Sequence, residues 1–273
     1  MNERMEFALT AEESARYREQ GFFVREARFP PEALDALRLS AENAVGRAAA
    51  LSEVGRGYLL DGKRFVDIEH VTVQFEHAPG SPLIRVIEPV HELDSGFDAL
   101  VDDPRIVQPM CGLLGASRIA LWTAKLNLKR PRHGSGFGWH QDSPYWIHSC
   151  GHVDQLPNVM LAIDAASRTN GCLRVVPGSH AQGCLPGTSD GTQLGGFFTS
   201  PACFDASRQL LIEVPAGSLI FFDPHLVHGS QPNRSPLPRR AIVLTYQPAG
   251  FPMLKSGGYR HVSAETVSGL TPP

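Results

Sequence analysis

The sequence predicts an α+β fold in which helices come first and a core of antiparallel strands follows. Helix signals are concentrated before about residue 115, whereas seven short apolar runs lie after it and are separated by turn residues. Short strands without intervening helices are typical of an antiparallel sandwich or jelly roll. The 26 glycines and 22 prolines among 273 residues favour the same architecture, which needs many turns. We therefore expect a single domain over residues 1–273, helical over about 1–115 and with its β core over about 116–250.

Signals for helix ends define three helices. Thr10 and Glu13 fit a capping box, and Gly21 is expected to end the helix that follows them. Proline is favoured in the first turn of a helix, so a second helix is predicted to begin at Pro30–Pro31. A third helix is predicted to end at Gly115. The apolar residues of the second helix recur at helical spacing, which indicates packing against the core.

The strand signals are short and mostly lie in the second half of the chain. An early apolar run, 22–24, predicts one strand between the first two helices. Residues 58–100 carry mixed signals for short strands and turns, so no element is assigned there. The seven strands predicted for the core are 119–122, 126–128, 159–163, 172–176, 210–214, 219–222 and 241–245.

Composition places the chain among ordinary globular proteins, with 42% hydrophobic and 19% charged residues. A net charge of -3 and scattered basic residues argue against nucleic-acid binding. No apolar run approaches the roughly 20 residues that a bilayer span requires. Five cysteines without a C-x-x-C pair favour a reducing compartment and argue against disulfides. We therefore expect a cytoplasmic monomer or homodimer that acts on a small-molecule substrate, and neither on nucleic acid nor at a membrane.

Two His-x-Asp patterns, His140–Asp142 and His152–Asp154, are candidate metal-binding pairs. On a strand, residues i and i+2 project to one face, so either pair could offer a nitrogen and a carboxylate to one ion. A non-haem iron(II) site needs a second histidine to complete two histidines and one carboxylate. His225 and His228 follow a predicted strand and could supply it. No strand pattern surrounds His152–Asp154, so His140–Asp142 is the better candidate of the two. A His-x-Asp pair does not identify a metal site by itself.

Arg239 and Arg240 open the predicted strand 241–245 and are candidate partners for an organic acid. An arginine binds a carboxylate through two charge-assisted hydrogen bonds, which suits an acid that chelates a metal with its other end. Ser230, two residues after His228, could donate a further hydrogen bond to the same carboxylate. The alternative role for the two arginines is a solvated strand end.

The motifs together resemble those of the phytanoyl-CoA dioxygenase family, whose members are iron(II)- and 2-oxoglutarate-dependent oxygenases. The resemblance is carried by His140–Asp142, residues 170–180 (NGCLRVVPGSH), His228–Ser230 and Arg239, and it extends to Tyr246. It implies a double-stranded β-helix core, a jelly roll of the cupin type, with the N-terminal helices packed on it. It also implies iron(II) as the cofactor, with 2-oxoglutarate and O2 as co-substrates.

The resemblance implies roles for individual residues. His140, Asp142 and His228 are implied to be the catalytic iron ligands. The family spacing from His228 implies that Arg239, rather than Arg240, binds the C5 carboxylate of 2-oxoglutarate. The other expected co-substrate contacts are Ser230, Lys125, Asn127, Met160 and Arg85.

The resemblance also implies a reaction, the hydroxylation of an unactivated C–H bond of an amino-acid-like compound or secondary metabolite. In that reaction 2-oxoglutarate is converted to succinate and CO2. Related halogenases have alanine or glycine where this chain has Asp142, so we expect no halogenation. Trp146, Tyr145 and Phe137 are candidate substrate contacts, and packing beside the iron site is their alternative role. Desaturation, a cupin-like metal-binding protein without oxygenase activity, and a zinc hydrolase stay open as alternatives.

Overall fold

The structure, a computed structural model, describes residues 6–263. Its helices are α1 (Ala11–Gln20), α2 (Pro31–Ser52), α3 (Ser95–Leu100), α4 (Pro104–Leu114) and α5 (Ser143–Trp146). Its strands are β1 (Phe22–Arg25), β2 (Arg56–Leu60), β3 (Lys63–Ile68), β4 (Val71–Phe75), β5 (Ile84–Glu88), β6 (Arg118–Lys129), β7 (Phe137–His140), β8 (Asn158–Ala162), β9 (Leu173–Val175), β10 (Leu210–Ile212), β11 (Leu219–Phe222), β12 (His228–Ser230), β13 (Arg239–Pro248) and β14 (His261–Ser263). Short 3-10 helices lie between residues 153 and 208.

The three helices predicted from the sequence are present with the predicted ends. The Thr10 side chain accepts a hydrogen bond from the Glu13 backbone, and the Glu13 side chain accepts one from the Thr10 backbone. Gly21 ends α1 with φ at 82°, a left-handed conformation that glycine adopts without the strain of a Cβ. The second helix, α2, begins at Pro31, and α4 ends at Gly115.

The long helix α2 buries one face and exposes the rest. Its buried positions recur at spacings of three and four residues, so they form a single stripe against the core, as predicted. These positions are Leu34, Leu37, Ser40, Ala41, Ala44 and Ala48. None of the helices that the structure describes has the length and apolar character that a bilayer crossing requires.

The strands form two antiparallel sheets. The larger has the order β1-β11-β8-β13-β6-β5-β4-β3-β2, with β14 paired to β6, and the smaller has the order β10-β9-β12-β7. Neighbouring residues of β8 face two different cores. Leu161 packs in the core shared with α2 and α4, whereas Met160 and Ala162 pack in a second core with residues of the smaller sheet. The expected jelly roll with helices packed on one sheet is therefore present.

The region with mixed sequence signals forms four strands. β2 to β5 make an antiparallel meander that extends the large sheet beyond β6, so the part of the chain expected to be helical also supplies a wall of strands. The strand pattern of β2 was weak because much of that strand is exposed. The predicted strands 119–122 and 126–128 are one continuous strand, because residues 123–125 continue the pairing of β6 with β13.

Candidate active site

A cavity of about 500 Å³ lies between the two sheets. Both sheets contribute lining residues. They come from strands β2 to β6, β8 and β13 of the large sheet and from strands β7, β9 and β12 of the small sheet. Residues 194, 197 and 198, from the irregular segment after β9, line it as well. The meander of β2 to β5, in a region where no element was predicted from the sequence, therefore forms part of this cavity.

Two histidines meet in the cavity because their strands are paired. His140 on β7 lies directly opposite His228 on β12, and their ring centroids are 4.2 Å apart. Asp142 follows β7 closely, and its Oδ2 is 3.9 Å from Nε2 of His228. One possible ligand atom from each of the three residues lies within 4.8 Å of the other two. This spacing suits one metal ion bound by two imidazoles and a carboxylate.

Backbone carbonyls orient both imidazole rings. Nδ1 of His140 is 2.8 Å from the carbonyl oxygen of Gly138, and Nδ1 of His228 is 2.9 Å from that of Leu226. A carbonyl oxygen can only accept, so each Nδ1 carries a proton, and in the neutral ring Nε2 then keeps a free lone pair. Burial, with the neighbouring His228 as the second cause, lowers the pKa of His140 to about 3. The imidazole is therefore neutral near pH 7, the form that binds metals.

The Asp142 carboxylate is held by an asparagine that the sequence analysis did not single out. Asn158 Nδ2 donates to Oδ2 of Asp142 at 3.1 Å, and Oγ1 of Thr245 donates to Oδ1 of Asn158 at 2.6 Å. Asn158 is fully buried. The sequence signal for this role was a polar residue at the start of the apolar strand 158–162. A buried amide requires hydrogen-bond partners, so such a residue is expected to bind another polar group.

The adjacent arginines Arg239 and Arg240 have different surroundings. Arg239 is 3% exposed, lines the cavity and donates from Nη2 to the carbonyl oxygen of Gly171 at 2.7 Å. Its buried Nε has no hydrogen-bond partner among the described residues, and burial lowers its pKa to about 10. Arg240 instead donates to Asp164 from Nε and Nη2, at 2.8 and 3.0 Å, and to Glu42. Of these two arginines, only Arg239 offers its guanidinium to the cavity.

The other residues predicted to contact the co-substrate line the same cavity. Lys125 and Asn127 share one face of β6, as their spacing indicated, and the buried Oδ1 of Asn127 has no partner among the described groups. Burial lowers the pKa of Lys125, but Glu88 and Asp142 outweigh it and raise that pKa above its ordinary value. The remaining cavity-lining members of the predicted set are Ser230, Arg85 and Met160.

The three predicted substrate contacts separate into two groups. Tyr145 and Phe137 line the cavity, and Tyr145 stacks on Phe197 at a centroid distance of 4.5 Å. Trp146 is only 2% exposed and is not among the cavity-lining residues. Its ring packs edge-on against Trp122, in a small apolar cluster beside the site. The structure therefore favours the packing role for Trp146 over substrate contact.

The rival pair, His152–Asp154, does not converge on a common point. Nε2 of His152 is 3.0 Å from Oε1 of Gln247, whereas Oδ1 of Asp154 is 2.7 Å from Nε2 of His225. Nδ1 of His225 is in turn 2.8 Å from Oγ of Ser143, so His225 is engaged outside the cavity. Within residues 6–263, the group with metal-ligand spacing is the one formed around His228.

Known proteins are similar to this chain in sequence and fold. The family model described as phytanoyl-CoA dioxygenase (PhyH) matches residues 17–241. The chain belongs to the phytanoyl-CoA dioxygenase family. An ectoine dioxygenase of Bordetella bronchiseptica is 30% identical over 257 residues, which cover 88% of this chain and 75% of that protein. A probable alpha-ketoglutarate-dependent hypophosphite dioxygenase of Stutzerimonas stutzeri is 29% identical over 210 residues, 74% of this chain and 71% of that one.

Solved structures share the fold of this chain. EctD from S. alaskensis superposes with a TM-score of 0.67 at 23% identity, covering 93% of this chain and 82% of that one. That EctD structure contains 2-oxoglutarate and 5-hydroxyectoine, and another contains bound Fe. The likeness confirms the predicted jelly-roll fold, and the family and its relatives confirm the enzyme class. The chain is an iron(II)- and 2-oxoglutarate-dependent dioxygenase.

Proposed function

We propose that this dioxygenase hydroxylates an unactivated C–H bond of a small molecule, using iron(II) bound by His140, Asp142 and His228. The observation that carries the proposal is the presence of this ligand group and Arg239 in one cavity. Iron(II) with 2-oxoglutarate and O2 supplies the oxidative chemistry, in which 2-oxoglutarate is converted to succinate and CO2.

The protein's contribution begins with a pre-oriented ligand set. Both imidazoles present an unprotonated Nε2 because their Nδ1–H groups are bound to carbonyls, and Asn158 fixes the carboxylate of Asp142. Three protein ligands leave other coordination positions for 2-oxoglutarate and O2. A carboxylate at residue 142 occupies the position that a halogenase leaves for chloride, so we propose hydroxylation over halogenation. Desaturation is the alternative outcome on the same scaffold.

We propose that the C5 carboxylate of 2-oxoglutarate binds Arg239 and the hydroxyl of Ser230. The buried guanidinium of Arg239 has a free Nε, which a carboxylate would satisfy through a charge-assisted hydrogen bond. Lys125, Asn127 and Met160 are proposed to line the rest of the co-substrate site. Burying an arginine that faces the cavity costs free energy. A metal-binding protein without oxygenase activity, or a zinc hydrolase, does not bind 2-oxoglutarate and therefore does not require this arginine.

The proposed substrate is amino-acid-like or a secondary metabolite. Named relatives include an L-proline trans-4-hydroxylase of Streptomyces griseoviridis and a methylphosphonate hydroxylase of Gimesia maris, both of which act on small molecules. The cavity volume of about 500 Å³ suits a compound of that size. The rings of Tyr145 and Phe137 support an apolar part in the substrate.

We also propose that the protein works in the cytoplasm, as a monomer or homodimer, without nucleic-acid or membrane partners. All five cysteines are free, which supports a reducing compartment. Light scattering on the purified protein would test the oligomeric state, and a mass above that of a dimer would contradict it.

Spectroscopy tests the proposed chemistry. Fe(II) and 2-oxoglutarate added without oxygen should give the weak visible charge-transfer band of iron-chelated 2-oxoglutarate. His228→Ala, which removes one proposed ligand, should lose the band. A protein that loads iron fully and shows no band would contradict the proposed function, and it would favour the metal-binding alternative.

A further inference from the structure

Three cationic or hydrogen-bond-donating side chains cluster on the part of the cavity wall formed by β3 to β5 and the turn after β4. They are Lys63, His77 and Arg85, and all three line the cavity. Nη1 of Arg85 is bound to Nε2 of His77, and Nη2 of Arg85 donates to the carbonyl oxygen of Gly136 at 3.1 Å. Nζ of Lys63 lies 5.5 Å from the ring centroid of Phe198.

The cluster presents donors and no acceptor to the cavity. A guanidinium can only donate, so Nε2 of His77 accepts from Arg85 and Nδ1 carries the proton. Burial, followed by the charges of Arg85 and Lys63, lowers the pKa of His77 to about 4, which keeps this ring neutral near pH 7. The buried Nε of Arg85 has no partner among the described residues.

Among the described residues, no carboxylate forms an ion pair with a side chain of the cluster. Glu76 interacts electrostatically with Arg85, but it does not line the cavity, and its Oε2 is bound by the backbone and hydroxyl of Ser135. The ammonium of Lys63 has no such carboxylate partner among those residues and lies over the ring of Phe198 instead. In the whole cavity lining, five lysines and arginines face two carboxylates, so the cavity holds an excess of positive charge.

Iron and 2-oxoglutarate do not account for Lys63. Strands in a sheet lie about 4.8 Å apart, so Lys63 on β3 is roughly 19 Å from Arg239 on β13 along the sheet. A five-carbon acid held between the metal site and Arg239 leaves Lys63 without a partner. The expected contact of Arg85 with this acid stays a prediction, and the bond of Arg85 to Nε2 of His77 also makes it part of the cluster.

The cluster is nevertheless close to the metal site. Phe198 forms a backbone bridge with His140, and its ring is the one that Lys63 approaches. One aromatic residue therefore separates the Lys63 ammonium from a proposed iron ligand. A small substrate can span such a distance, with its reacting carbon toward the metal and its charged end at the cluster.

We propose that the substrate carries a carboxylate or phosphonate group that Lys63, His77 and Arg85 bind. This assignment rests on the proposed function, since it places the substrate in the cavity that holds iron and 2-oxoglutarate. Each donor forms a charge-assisted hydrogen bond with the anion, which satisfies the free Nε of Arg85 and the unpaired ammonium of Lys63. The aromatic lining receives the body of the substrate.

Calorimetry on the protein loaded with Fe(II) and 2-oxoglutarate, without oxygen, tests this assignment. The probes are phenylacetate, phenylphosphonate and the neutral phenylacetamide. We expect at least one anion to bind about ten times more tightly than the amide, because a hydrogen bond between charged groups increases affinity by roughly this factor. Lys63→Met should remove most of that preference. Arg64→Met is the matched control, since Arg64 is the next residue on β3 and is exposed outside the cavity.

The outcomes separate the substrate assignment from the proposed function. Tighter binding of phenylacetate would identify a carboxylate, and tighter binding of phenylphosphonate would identify a phosphonate. Equal binding of all three probes, no binding of any, or an unchanged preference in Lys63→Met would overturn the assignment. Loss of the charge-transfer band on adding an anion would also overturn it, because the anion would then have displaced 2-oxoglutarate. Failure of the band to form at all would contradict the proposed function itself.

Discussion

Arg239 and Arg240 are adjacent in the sequence, but their side chains lie on opposite faces of β13. Arg239 faces the cavity with a free Nε, whereas Arg240 is held by Asp164 and Glu42. The family spacing pointed to Arg239, and the surroundings of the two guanidinium groups supply an independent physical reason for the same choice.

Substitution of each arginine should separate their roles. Arg239→Ala should weaken 2-oxoglutarate binding about ten- to hundredfold, because it removes a charge-assisted interaction of roughly 1.5–3 kcal/mol. Arg240→Ala should change the affinity by less than about threefold, since its partners lie outside the cavity. Titration of 2-oxoglutarate into the anaerobic Fe(II) protein, followed by the charge-transfer band, measures both. Equal losses in the two variants would contradict the assignment.

At the scale of elements, the irregular segment 187–198 covers one side of the cavity and is attached to the turn between β2 and β3. The two carboxylate oxygens of Asp61 accept hydrogen bonds from the backbone N–H groups of Gln193 and Leu194, at 3.1 and 2.7 Å. The segment's Phe197 stacks on Tyr145 in the cavity. Asp61 therefore couples the meander to the segment nearest the proposed substrate.

Asp61→Asn should loosen this segment without unfolding the protein. Asparagine keeps a side chain suited to the left-handed backbone of residue 61, where φ is 48°, but it loses the charge and one acceptor. We expect faster amide hydrogen exchange in residues 187–198, measured by mass spectrometry, with the rest of the chain unchanged. Glu69→Ala, in the next turn of the meander, serves as the control and should leave amide hydrogen exchange in residues 187–198 unchanged. Unaltered exchange in Asp61→Asn would show that Asp61 does not hold the segment.

For the whole molecule, an ion cluster joins the helical layer to the large sheet. Asp164 accepts hydrogen bonds from Arg38 of α2 and from Arg240 of β13, and Arg240 also contacts Glu42 of α2. Burial raises the pKa of Asp164, but hydrogen bonds and charge from Arg240 and Arg38 outweigh it and hold that pKa below its ordinary value. A carboxyl group with a lowered folded-state pKa stabilises the fold above about pH 4, and loses that effect as the pH falls through the lowered value.

Asp164→Asn should therefore destabilise the protein in a pH-dependent way. We expect a loss of about 1–3 kcal/mol in the free energy of unfolding at pH 7, because two arginines lose a charged partner. The difference in the free energy of unfolding between the variant and the unsubstituted protein should shrink toward pH 3. Urea denaturation at the two pH values measures it. Asp35→Asn is the control, because Asp35 forms an exposed ion pair with the same Arg38 and should cost less than about 0.5 kcal/mol. A pH-independent loss in Asp164→Asn would contradict the expectation.

The sequence was most informative where local chemistry sets the structure. Helix ends at Thr10, Gly21 and Gly115 follow from capping and from glycine's access to positive φ, which act over a few residues. The strands of the core were predicted because they carry continuous apolar runs. The strands β2 and β3 were left unassigned because exposed positions and turns obscure the two-residue alternation on which strand prediction depends. The strands β4 and β5 are mostly buried, but polar residues such as Gln74 and Arg85 interrupt their apolar runs.

The sequence by itself determined the dioxygenase motifs and their spacing, and with them the expected iron, 2-oxoglutarate and jelly-roll core. The tertiary structure decided what depends on contacts between distant residues. Strand pairing placed His228 opposite His140, and packing put Trp146 in an apolar cluster and Asn158 on the Asp142 carboxylate. The donor cluster at Lys63 could not be foreseen, because a charged side chain on an unassigned strand reveals its surroundings only when the chain is folded.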